Sequence, residues 1–129
     1  MKTKRISREQ RKDWRNLPYE HWNTITVHAY FKDMNREMFG VNEYLPMRNW
    51  RFEQGVIKQA LNKHGAEKIR LACDEIFRTY RPTDEYPHLT AGFALLYRLN
   101  TVLPKINRNL EMSTRDYEKD DIKRKISYL

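Results

Sequence analysis

The residues best suited to chemistry gather in NKHGAEKIRLACDEIFRTY, residues 62–80, which holds His64, the single cysteine Cys73 and the adjacent acids Asp74 and Glu75. A thiol beside an imidazole suggests an activated nucleophile, and paired carboxylates suggest acid–base work. The spacing argues against both. His64 and Cys73 are nine residues apart, about 13 Å along a helix axis, and neighbouring acids on a helix point in different directions. Ile69, Ala72, Cys73, Ile76, Phe77 and Tyr80 instead fall on one face of 3.6-residue period. This predicts an amphipathic helix with the thiol inside and the acids outside.

Other catalytic signatures are missing. His21, His28, His64 and His88 lack the close spacing of a local zinc site. No phosphate-cradling glycine loop, GxSxG or HExxH occurs. The expectation is a non-enzymatic protein without cofactor or metal.

The elements that would position any site read as helical. Asn23 caps and Gly40 ends a first helix, with Val27, Phe31, Met34 and Met38 on its inner face. Asn49 caps a second helix reaching about His64, with Phe52, Val56, Ile57, Ala60 and Leu61 on one stripe and Gly55 marking a close packing contact. The third is the helix after Gly65, stopped by Arg81-Pro82. A fourth runs from about Thr90 to Leu103, with Phe93, Leu96, Tyr97, Leu99 and Leu103 at the centre of the bundle, until Pro104 ends or kinks it. The expected fold is all-α: a compact bundle of four main helices over residues 16–104, a basic N-terminal arm over 1–15, and a weakly structured charged C-terminal tail over 105–129, part of it helical at most.

Charge is unevenly spread. Of a formal +8 over 129 residues, most sits in the first fifteen, where Lys2, Lys4, Arg5, Arg8, Arg11, Lys12 and Arg15 face only Glu9 and Asp13. Residues 105–129 carry seven cations and five acids, and the middle of the chain is nearly balanced. Flexible cations attract phosphates without fixed geometry, so this segment is the first candidate for nucleic-acid contact. Trp14, Tyr19 and Trp22 follow closely and could stack on bases or extend the apolar face of the next helix. A second candidate is Arg48, Trp50 and Arg51, clustered where outward backbone N–H groups also attract anions. Its bland alternative has Trp50 in the core and the arginines paired with Glu43 or Glu53.

The longest apolar run, Phe93–Tyr97, is too short to span a membrane. The basic N-terminal stretch lacks a signal peptide's apolar centre, and one cysteine forms no internal disulfide. A reducing cytoplasm is therefore the expected compartment.

HGAEKIRLACDEIFRTY and YPHLTAGFALLY, within residues 40–103, resemble small helical accessory proteins of bacteriophage DNA-replication modules, among them helicase loaders and DnaD-type helical domains. The resemblance implies a helical adaptor working on DNA, more than RNA, or on a DNA-processing machine in a host cytoplasm. It transfers no DNA-contacting residue. The expected function is nucleic-acid binding in replication or transcription control, with contacts to a replication or transcription protein. The alternative is a protein-binding inhibitor or modulator of a host enzyme complex, because tryptophan, tyrosine and arginine also dominate protein hot spots.

Overall fold

A computed structural model describes residues 5–127, with side chains through Arg115, so Lys2 and Lys4 lie outside the described residues. The architecture is an all-α bundle, without strands among the described residues. Its elements are α1 (Arg8–Lys12), a single 3-10 turn (Tyr19–His21), α2 (Thr24–Phe39), α3 (Trp50–His64), α4 (Ala66–Thr79) and α5 (Ala91–Phe93). From α5 the chain passes through a π-helical segment (Ala94–Arg98) into α6 (Leu99–Ser127). No helix among the described residues is long and apolar enough to cross a membrane.

The capping residues act as their types require. The Asn23 side chain accepts from the amides of Ile25 and Thr26, and Gly40 closes α2 in the left-handed region at φ 69°. Asn49 accepts from Phe52 N at 2.8 Å. Gly65, at φ 82°, is the one residue between α3 and α4. The inner face of α4 is the expected one: Ile69, Ala72, Cys73, Ile76 and Phe77 are all buried. Phe77 meets Phe31 at 5.2 Å and Tyr30 at 5.7 Å between ring centroids. Each such side chain contributes roughly 1.5–3 kcal/mol through burial.

Several expectations need correction. The basic segment does not remain a separate arm through residue 15. Ser7 and Gln10 form a capping box for α1, and Trp14 is only 3% exposed, its Nε1 donating to Asp33 Oδ2 at 2.8 Å and its ring edge-on to Tyr30 at 4.9 Å. Burying an indole with its N–H satisfied outweighs leaving the segment solvated. Gly55 marks no close contact, since a Cβ there would meet nothing within 4 Å. On α2, Met38 is exposed although Val27 and Phe31 are buried.

The fourth segment begins at Thr90, whose side chain caps Phe93 N at 3.1 Å. Leu99 and Leu103 are core as expected, but Leu96 and Tyr97 are 44% and 62% exposed, and Ala91, Ala94 and Leu95 take the inner positions. The π-helical segment inserts an extra residue into the turn and rotates the apolar face. Pro104 does not end the helix: it lies inside α6. Both Pro104 and Asn100, whose carbonyl loses its helical partner there, face solvent, so water can satisfy that carbonyl. Residues 105–127, the expected tail, continue α6.

Between these helices, the buried Asn35 holds the loop that leads to α5. Its Nδ2 donates to Phe31 O and Leu89 O, and its Oδ1 accepts from Leu89 N. Leu89 is thereby fixed in the core, and Ala91 and Gly92 are brought against α3.

Candidate nucleic-acid interface

α3 starts beside the middle of α2, which sets Trp50 against His28 and Lys32. The Trp50 ring meets His28 edge-to-face at 5.0 Å and Tyr44 at 5.8 Å, and Lys32 Nζ stands 5.3 Å from its centroid. Trp50 is 42% exposed. α1 lies against α2 on the same side, and Arg8 and Lys12 complete a groove of about 490 Å³ lined also by Thr24, Ile25, Asp33 and Gln54. The result is a groove that an indole shares with three cations from two different helices. Among the described residues neither Arg8 nor Lys32 has a carboxylate within 4 Å, and Lys12 reaches Glu9 at 3.2 Å on an exposed surface. A pair so exposed holds a lysine only weakly. Asp33, the acid in the groove, is engaged by Trp14 Nε1 and by Arg36 at 3.1 Å.

A buried polar cluster holds this face in place. Glu53 has no accessible surface and accepts four hydrogen bonds, two on each oxygen. Oε1 takes His28 Nε2 at 2.9 Å and the Tyr44 hydroxyl; Oε2 takes Met47 N at 2.8 Å and Gly92 N at 3.1 Å. Burial by itself would raise the Glu53 pKa, but the bonds from His28, Tyr44, Met47 and Gly92 prevail and hold it below the ordinary carboxylate value. The Tyr44 phenol is pushed up, by burial first and then by the Glu53 charge, and it accepts in turn from Ala91 N at 2.8 Å. Through His28 and Tyr44 this cluster orients Trp50.

The candidate cations have separate fates. Arg8 and Lys12 line the groove. Arg11 donates to the His21 carbonyl, and Arg15 binds the exposed Glu37 at 2.6 Å and lies 4.1 Å over the Trp14 ring, so both are engaged within the chain outside the groove. Arg5 is exposed. Arg48 takes a left-handed backbone at φ 62° with its guanidinium 4.8 Å from the Phe52 ring, and Arg51 is exposed beside it; both flank the start of α3 outside the groove. Trp50 is not in the core, and Glu53 pairs with His28, not with an arginine. Trp14 and Trp22 are core residues and offer no stacking surface, while Tyr19 leans on Trp22 at 5.5 Å.

Sequence reasoning missed Lys32, His28 and Glu53. Lys32 lies four residues after His28, hence on the same face of α2, a signal that acquires meaning only once Trp50 is known to dock there. Glu53 carried no such signal: two of its donors, His28 and Gly92, lie on other helices, and Tyr44 and Met47 come from the loop before α3.

The opening stretch is scaffold. Burial pushes the Cys73 thiol up; Asp74 accepts from Tyr30 OH at 2.6 Å; Glu75 is held at about 2 by hydrogen bonds from Arg78 and Lys105. Among the described residues no three His, Cys, Asp or Glu side chains converge as a metal site would require. Across the Glu53 cluster from the groove lies a second cleft, about 590 Å³, walled by Met47, Tyr80, Tyr86, His88 and Phe93. Exposed Leu45 and Tyr97 lie near it in the chain fold, His88 bonding Leu45 O and Tyr97 stacking 5.6 Å from Phe93. No family model, characterised protein or solved structure matches this chain.

Proposed function

We propose that this is a non-enzymatic nucleic-acid-binding accessory protein that acts on DNA. The observation that carries the reading is the convergence of Arg8, Lys12 and Lys32 on one groove with the half-exposed Trp50. Cations positioned by helices attract phosphates and fix register, and an aromatic between them adds a contact that a solvated basic surface lacks. The formal charge of +8 supports the same partner. The setting proposed for it is replication or transcription control, as the sequence resemblance of residues 40–103 implies.

The test is DNA affinity against salt concentration for the full chain and for Arg8→Ala/Lys12→Ala/Lys32→Ala. Each phosphate contact removed should lower the slope of log affinity on log salt by about 0.7–0.9. An unchanged slope in the triple variant, or no binding by the full chain at low salt, overturns the reading. Truncation at Asn16 is a poor substitute, because it removes Trp14 from the core.

The second cleft favours one further role. Its walls set Tyr80, Tyr86 and Phe93 beside Arg81 and Glu85, with Tyr97 exposed alongside, a mixture that suits a protein contact. The alternative reading, a modulator of a host enzyme complex, would use this face, and Tyr97→Ala with Tyr86→Ala should then abolish partner capture without altering DNA affinity.

A further inference from the structure

Resting on the nucleic-acid reading, we infer that the groove selects single strands: one unpaired base stacks on Trp50 while its flanking phosphates lie on Arg8, Lys12 and Lys32. Of the three tryptophans, Trp14 and Trp22 are core, and only Trp50 presents its ring to solvent. That ring does not float. His28 holds it edge-on at 5.0 Å, Tyr44 lies at 5.8 Å, and His28 is itself fixed by Glu53 at 2.9 Å. A stacking platform already ordered loses little conformational entropy when a base lands on it.

Size and charge match one nucleotide better than a helix of DNA. The groove's volume of about 490 Å³ lies within the roughly 300–1,000 Å³ of sites that enclose small ligands. Arg8, Lys12 and Lys32 share its lining with Trp50, so backbone and base can be engaged together. Lys32 Nζ, 5.3 Å from the ring centroid, already neighbours the π face and can move to the phosphate next to a stacked base. Gln54, also in the lining, offers an amide to the edge of that base. In a duplex both faces of every internal base are covered by its neighbours, and the double helix would meet the rim cations alone. Trp50 therefore discriminates, and the cations only attract.

The experiment uses the full chain with a fluorescently labelled oligothymidine, a duplex of equal length, and anisotropy read at two salt concentrations. The single strand should bind at least about tenfold more tightly than the duplex. Trp50→Ala should lower single-strand affinity by roughly 5- to 150-fold, the range of one base–aromatic stack, with duplex affinity unchanged and Trp50→Phe retaining most of it. Intrinsic tryptophan fluorescence should be quenched by the single strand, and that quenching should vanish in Trp50→Phe, whose remaining indoles are buried. Equal affinity for both forms, or equal losses for both in Trp50→Ala, overturns the inference while leaving the nucleic-acid reading intact. Absence of binding to either form overturns both. Circular dichroism of Trp50→Ala establishes that the variant is folded.

Discussion

His28 and Glu53, twenty-five residues apart in the chain, meet at 2.9 Å between Nε2 and Oε1 where the glutamate has no contact with solvent. A carboxylate can only accept, so the imidazole carries its proton on Nε2. This pair joins α2 to α3, and the remaining two-oxygen capacity of Glu53 gathers Tyr44, Met47 and Gly92. Glu53→Ala would leave these donors buried and unsatisfied and should cost about 3–5 kcal/mol. Denaturant unfolding of the variant checks this; a loss below about 1 kcal/mol would show that water replaces the carboxylate.

Stability should also fall in acid through this residue. Its folded pKa lies below the ordinary carboxylate value, so the charged form is favoured in the native state. The corresponding stability is present above the unfolded pKa, about 4.3, and is lost as pH falls through the lower folded value. The gap in thermal midpoint between the native chain and Glu53→Gln should therefore narrow below about pH 4. A gap of constant size from neutral to strongly acidic pH contradicts this assignment.

Two glycines should respond oppositely to alanine. A Cβ on Gly92 would stand 2.9 Å from Met47 Cβ and 3.3 Å from Glu53 Oε2, so Gly92→Ala should destabilise by about 1–3 kcal/mol. Gly55 lies in the interior of α3 with nothing within 4 Å of the same position, and Gly55→Ala should stabilise by about 0.5–1 kcal/mol. Thermal midpoints of the two variants decide both.

Cys73 should resist thiol reagents in the native protein. It is buried on α4, and its thiol is raised by that burial and secondarily by Asp74, which suppresses the reactive thiolate. A disulfide-exchange reagent should label it only after denaturant is added. Rapid labelling under native conditions would show that α4 opens locally.

The path to the groove shows how far residue patterns reach. Asn23, Gly40, Asn49 and Gly65 are local devices, acting on amides or dihedrals within a few residues, and each bounds the helix its type suggests. The face of α4 was equally readable, because one face turned inward at every helical repeat leaves a periodic trace. The face of the fourth segment departs from its expected period at Leu96 and Tyr97, where one π-helical insertion turns both side chains outward.

The sequence alone determined α2, α3 and α4 with their ends, the start of the fourth segment at Thr90, the inward side of α4, and the presence of cations near both the N-terminus and Trp50. Those properties depend on side-chain type and short-range spacing. Only the tertiary structure decided that Arg11 and Arg15 are engaged within the chain while Arg8, Lys12 and Lys32 share one groove with Trp50, and that Glu53, outwardly one more polar helix residue, is the buried acceptor behind His28. Each of those outcomes depends on which helix face docks against which, and docking is set by the summed packing of the whole core.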